Sequence, residues 1–539
     1  MQKKILSILI ALFALCTLSV VAFAEDAVYV EIGTADELLA LMSEGDDWVA
    51  AAEEATDEEK AAAEAAKTVH ADKLALSYKL VADIDLSAVE GQTPIGRREI
   101  PFTGIFDGDG HTIKGLNIDG SNGEFKETAL FGGTFGATIL NLTVEGSVKS
   151  NGNNVGGIVG RAVLPLTVKN CVNKATVDMN VIGKMIGIGG IVASCVLGEE
   201  TEVELTVENC TNYAAVKSMS NKSAYISGIV GYIQARKGVD NPYLLTVNVS
   251  NCVNYAPLSA EFATVGGGVV GYADFAGAGI SGTFTLENCA NFGKVHAMSY
   301  NGGVLGAVGG DKGTTGMTFT LKNLFNAGEI SGTSDSSSNS GAVVGLIRFP
   351  APVDGVAPVE VSYLMDTANS GISVIGGYEE TPDTSATFNG LCSTAGTSAV
   401  FYHEITNGAL PSDGTVTVNI TNSAYANATE EELAAFVASA PEVWSLVEGK
   451  PTLTYFTDII KDAENVEVIG SSSASQPFIP NITPIIPPKT EVTTAAPVTT
   501  APVVDGSSEG GAPVGVIVGI IAAVVVVAIV VVVVVKKNK

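Results

Sequence analysis

Through the middle of the chain, apolar and polar residues alternate in short runs, and the runs recur. In LTVKN, Leu166 and Val168 fall on one side and Thr167 and Lys169 on the other; in LTVEN, Leu205 and Val207 oppose Thr206 and Glu208. Alternation at period two predicts half-buried β-strands. Each run ends in the same phrase, NCVN at Asn170–Asn173, NCTN at Asn209–Asn212, NCVN at Asn251–Asn254 and NCAN at Asn288–Asn291, with NLFN at Asn323–Asn326. Between these phrases stands a glycine-flanked apolar step: GIVG at Gly157–Gly160, GIVA at Gly190–Ala193, GIVG at Gly228–Gly231, GVVG at Gly268–Gly271, GVLG at Gly303–Gly306 and AVVG at Ala342–Gly345. Two phrases alternating at one shared, elastic period of about forty residues predict a solenoid.

Three short strands per turn are expected: one holding the glycine step, one leading into the Asn, and one following it (ATV, AAV, APL, GKV, GEI). The fold class predicted is therefore an all-β solenoid, a parallel β-helix in which equivalent residues of successive turns form columns ~4.8 Å apart. The glycines of the step allow tight corners, and insertions such as Gly198–Val203 fall between strands. Helical patterns flank the strands. Thr34–Met42 opens on a capping residue with Glu37 three places on, and Asp46–Lys67 reads as a second, exposed helix. Thr429 followed by three glutamates opens another helix to Ala438, and Trp444 with PTLTYF (Pro451–Phe456) completes a C-terminal cap.

The ends carry other signals. Lys3 and Lys4, an apolar run and Ala22-Phe23-Ala24 make residues 1–24 a signal peptide. Residues 25–100 form an N-terminal cap with helices, 101–425 the β-helix and 426–470 the C-terminal cap. Residues 471–513, rich in Pro, Thr and Ser, read as an extended stalk. Residues 514–535 are uninterruptedly apolar or glycine, a transmembrane helix long enough at roughly 33 Å to cross the hydrocarbon core. Residues 536–539, KKNK, place the C-terminus in the cytoplasm and the rest outside, as a single-pass membrane protein of the cell surface. The net charge of −29 argues against nucleic acid as a partner.

The glycine steps, the NCxN phrases and the block ADIDLS…PIG…PFTGIFDGDGHTIKGL together resemble GLUG-motif surface proteins of the bacterial adhesin type, over residues 28–453. Ala193 in place of the closing glycine and Leu324 in place of the cysteine depart from the pattern. The resemblance implies a right-handed β-helix displayed outside a bacterium, and it transfers no catalytic residue.

Candidate chemistry is sparse. Cys171, Cys210, Cys252 and Cys289 share a repeat position and are expected as a column of buried thiols, although ~4.8 Å spacing also lies within disulfide reach. Asn170, Asn209, Asn251, Asn288 and Asn323 are expected to face inward as a corner ladder of amides. After the second Asn come Tyr213, Tyr255 and Phe292, and after the glycine step Tyr232 and Tyr272. Each set reads either as a platform for sugar rings or as a plain stacking ladder. The outward series Lys169, Glu208, Ser250, Glu287, Lys322 holds no paired carboxylates, and no Cys or His spacing suits zinc, so no cofactor or metal is expected. Asp107-Gly108-Asp109-Gly110 reads as a turn rather than a calcium loop. The function expected is adhesin-like binding of host or neighbour-cell glycans or proteins. A surface polysaccharide lyase or glycosidase is the alternative, and a purely structural spacer the second.

Overall fold

The structure is a computed structural model. It describes residues 28–470 apart from 47, 124, 181–185, 220–223, 236–242, 261, 263–264, 277–278, 310–315, 333–339, 349–358, 370–371, 380–384, 394, 396–416, 425–427, 448–449 and 464–465. The expected leader, stalk, membrane span and basic tail lie outside the described residues. Among the described residues no helix is long and apolar enough to cross a membrane.

Parallel β-ladders dominate. The strands leading into the Asn stack in register, Leu166 on Leu205, Leu205 on Val247, Val247 on Phe284 and Phe284 on Phe319. Two residues on, Val168, Val207, Val249, Leu286, Leu321, Val361 and Phe388 form a second unbroken apolar column. All are buried, and each contributes roughly 1.5–3 kcal/mol by leaving water. The interior is one continuous core because every turn repeats the same inward positions. Beyond Gly345 the ladders persist through Val359–Asp366, Ser385–Ser393 and Thr417–Ala424.

Beyond the three strands expected per turn, the segment before each glycine step forms a strand of its own. The glycine step is a corner, with one strand ending before it and another starting inside it. Asn154–Gly156 precedes Gly157-Ile158, and Val159 begins the next strand. The segments before the step build a sheet of their own, seven short strands from Glu127–Thr128 to Ser340–Gly341. Sequence reading missed them because they are two to four residues long and glycine-rich, too short to show a period.

At the N-terminus, Tyr29–Ile32 pairs in parallel with Ser77–Leu80, which continues into the solenoid ladder. Helix α1 (Ala35–Met42) follows Thr34, and α2 (Asp57–Leu74) follows Thr56; each has a complete capping box, with Glu37 and Glu59. The second helix thus starts eleven residues later than expected and runs further. Thr56 with Glu59 satisfies its first amide donors, whereas nothing caps a start at Asp46.

The C-terminal segment differs most from expectation. Helix α3 (Glu430–Ala438) and the hairpin of Trp444–Val447 with Lys450–Leu453 lead into α4 (Thr457–Ala463). They do not simply close the open end. Phe436, Trp444, Leu453 and Phe456 pack sideways on Val253, Ala290, Phe325, Met365, Cys392 and Ala424. All six occupy the outward position after the Cys column. The segment is a strap that runs back along the flank, and Ile469 bridges to Ala214.

Candidate binding surfaces and the columns that hold them

The repeat phrases set the geometry. The first Asn of each phrase takes a left-handed backbone, φ 55° at Asn170, 53° at Asn209, 55° at Asn251, 56° at Asn288 and 54° at Asn323, as does Asn141 at 52°. Asn tolerates this conformation better than other residues with a Cβ. These side chains are half-buried rather than directed into the core. They bond along the axis: Asn323 donates to Asn288 (3.0 Å) and Asn288 to Asn251 (3.1 Å). Asn209 donates to Asn170 (3.1 Å), Asn170 to Asn141 (2.8 Å) and Asn141 to Asp107 Oδ1 (2.9 Å). Asp107 also accepts the Asp109 amide at 2.9 Å, so the DGDG segment is a turn that terminates this ladder.

A second ladder, which sequence reading missed, is fully buried. Asn173 donates to Asn212, Asn212 to Asn254, Asn254 to Asn291 and Asn291 to Asn326, each at 2.8 Å, and Asn326 donates to Asp366 Oδ1 at 3.0 Å. Each of the five Asn amides also donates to the carbonyl two residues on. The two ladders run in opposite directions, each ending on a carboxylate that only accepts. The first glycine of the step leaves room both for this second ladder and for the carbonyl of the step one turn on, such as Gly190 O, 2.3 Å from a Cβ on Gly157. A Cβ on Gly157 would sit 2.3 Å from Asn173 Oδ1, and one on Gly228 2.3 Å from Asn254 Oδ1. None of these step glycines has positive φ; space, not backbone conformation, is what they provide. The signal was legible: the second Asn is always followed, two residues on, by Ala or Gly.

Cys171, Cys210, Cys252 and Cys289 are buried free thiols. Each Sγ lies 3.2–3.3 Å from the carbonyl two residues before it. Burial holds Cys171 and Cys252 well above the ordinary thiol range, and lifts Cys195 and Cys392 to about 12. Such thiols are poor nucleophiles.

Tyr213, Tyr255 and Phe292 stack, with centroids 5.1 Å apart and ring planes within 5° and 12°. Stacking along the axis covers both faces of Tyr255, whereas a sugar platform needs an open ring face. The strap packs against Tyr255 and Phe292, and Tyr455 donates to Asn251 Oδ1 at 2.8 Å beside them. Tyr232 and Tyr272 are 3% and 5% exposed and pack with Tyr225, and Tyr232 donates to buried Asp274 at 3.0 Å. Both sets are stacking ladders in geometry. The outward charges also pair between turns: Lys169 with Glu208 (3.0 Å), Lys322 with Glu287 (3.3 Å) and Lys174 with Glu145 (3.1 Å). Among the described residues no group of His, Cys, Asp and Glu is placed to hold a metal ion.

A cleft of about 280 Å³ lies between the N-terminal cap and the first turns, lined by Asp46, Arg97, Glu99, Phe125, Lys126 and Glu127 among others. Arg97 bonds Asp46 (2.8 Å), and Arg98 pairs with Glu127. Arg161 stands one turn above Gly133, against which the Arg97–Arg98 backbone packs. Burial, then the neighbouring Arg98, holds Arg161 below its ordinary pKa. The chain has five arginines, and three of them (Arg97, Arg98, Arg161) meet here. That concentration was the available signal, but residues 64 apart in sequence gave no motif.

No family model matches the chain. It is 37% identical over 124 residues to halomucin of Haloquadratum walsbyi, a match covering 21% of this chain and 1% of that relative's length. The solved structure of a Bacteroides ovatus protein proposed to be an immunoglobulin A1 protease aligns over 70% of this chain and 86% of that one, at 21% identity and TM-score 0.29.

Proposed function

We propose that the chain is an extracellular, membrane-anchored, adhesin-like binding protein of the GLUG-motif kind, a right-handed β-helix that holds a recognition cleft away from the cell. The observation that supports this reading is an asymmetry of commitment. On the solenoid flanks, rings stack on rings, and Lys169, Lys174, Lys294 and Lys322 pair with glutamates, so these groups brace the rod. At the cleft, Lys126 and Glu99 take part in no ion pair among the described residues, and Phe125 is half-exposed. Outward carboxylates tied to lysines favour binding over glycosidic cleavage, which needs two carboxylates facing a common bond.

The test is binding of the full-length purified chain to glycan arrays, host proteins and whole cells. Specific binding supports the reading; background-level signal on all three, or new reducing ends appearing in the glycans, contradicts it. Y255A separates the flank from the cleft. It is expected to cost about 2 kcal/mol of stability through lost burial and stacking, and to leave binding unchanged.

A further inference from the structure

Resting on that reading, we infer that the cleft of Arg97, Lys126 and Glu127, with Arg161 behind it near Arg98 and Glu127, takes an acidic saccharide, a sugar ring bearing a carboxylate or sulfate. Lys126, Phe125 and Glu99 line the cleft, and Arg161 stands close behind. Lys126 is exposed and takes part in no ion pair among the described residues. Arg161 is half-buried, likewise without an ion pair, and crowded by Arg98. Its guanidinium therefore gains from an added anion, which offsets both its burial and the like charge beside it. Phe125 offers a half-exposed ring at the same cleft, suited to the C–H face of a sugar. Glu99 is exposed there and accepts hydroxyl hydrogen bonds.

The surrounding charge sharpens the choice. The whole chain carries −29 and repels polyanions in general, whereas at the cleft Arg97, Arg98, Lys126 and Arg161 outnumber the carboxylates of Asp46, Glu99 and Glu127 by one. Arg97 and Arg98 are already tied to Asp46 and Glu127, so they hold the wall in shape while Lys126 meets the ligand and Arg161 adds positive charge behind it. A volume of about 280 Å³ admits one or two sugar rings, which selects a terminal residue or a short segment rather than a long chain lying in a groove.

The experiment measures binding of the full-length chain to three oligosaccharides of equal length by calorimetry: galacturonate-containing, sulfated chondroitin, and neutral galactose-containing. The expected result is binding of at least one acidic oligosaccharide and no more than a tenth of that affinity for the neutral one. K126Q and R161Q should each weaken acidic binding at least tenfold, R161K should restore part of it, and K322Q on the flank should change nothing. Unchanged melting temperatures show that the variants are folded. The galacturonate and chondroitin arms tell carboxylate from sulfate. Equal affinity for neutral and acidic sugars, or acidic binding untouched by K126Q and R161Q, overturns the cleft assignment. If the chain binds other glycans, proteins or cells with these variants silent, the cleft proposal falls and the binding-module reading stands; if it binds nothing, both fall.

Discussion

Asn254 and Gly228 fill each other's space, and that contact repeats in turn after turn. The buried amide of Asn254 makes bonds to Ala256, Asn291 and Asn212, and Gly228 leaves room for it at 2.3 Å. Asn254→Ala strands several buried polar partners and is expected to cost on the order of 3 kcal/mol. Gly228→Ala inserts a methyl group into filled space and is expected to cost about 2 kcal/mol. Because alanine at 254 removes the Oδ1 and Cγ contacts at 2.3 and 2.4 Å and keeps only the Cβ contact at 2.7 Å, the double variant should be less destabilised than the sum of the two, by at least about 0.5 kcal/mol in thermal or denaturant unfolding. Strict additivity would show that the two phrases do not interlock. A carboxylate gives a second residue-scale test. Asp83 accepts the Thr112 amide at 3.0 Å and Lys114 at 3.1 Å, and the Thr112 bond foremost depresses its pKa. A lowered folded value means that stabilisation is present above the ordinary aspartate range and lost as pH falls through the folded value. Asp83→Asn should cost about 0.5 kcal/mol near neutrality after solvent screening, and should flatten the acid limb of a stability-against-pH curve. An unaltered acid limb would contradict the assignment. The existence of an Asn ladder was readable at the first Asn of each phrase, because the phrase repeats. The deeper ladder was missed although it leaves a mark, the Ala or Gly two residues after each second Asn, because that mark is weaker than the repeated phrase itself.

Elements built from strong local signals were legible, and those defined by distant contacts were not. The capping boxes at Thr34 and Thr429 marked helix starts at residue resolution, since a cap is local chemistry. The strap's helix and hairpin were also visible, but not its place along the flank, which depends on an outward apolar column assembled from six turns. Trp444 is its anchor, 2% exposed, 4.8 Å from Phe436 and 6.4 Å from Tyr363 between ring centroids. Its Nε1 has no hydrogen-bond partner. Trp444→Phe is therefore expected to cost under about 1 kcal/mol, since it removes an unpaired donor with little loss of ring burial. Trp444→Ala should cost about 3–5 kcal/mol locally, free the segment for limited proteolysis, and raise binding of a hydrophobic dye to the uncovered stripe. The far-UV spectrum of the solenoid should remain. A protease-resistant Trp444→Ala variant would mean that the strap is held elsewhere.

At the scale of the molecule, the repeat made the solenoid legible because identical phrases one turn apart demand identical surroundings. The short strand before each glycine step and the arginine cleft were not legible: the first is too short to carry a period, and the second joins side chains with no sequence relation. Columns, ladders and cleft all require that turns stack in register from the cap onward. Lys79 and Lys322 occupy one outward column, linked through Asp107, Leu140, Lys169, Glu208, Ser250 and Glu287. Seven turn spacings place their backbones about 34 Å apart. Spin labels at these two positions of the full-length chain, read by pulsed dipolar spectroscopy, should give one narrow distance distribution centred near that value, within the reach of the label arms. A broad distribution, or one centred far from it, would contradict the stacked rod.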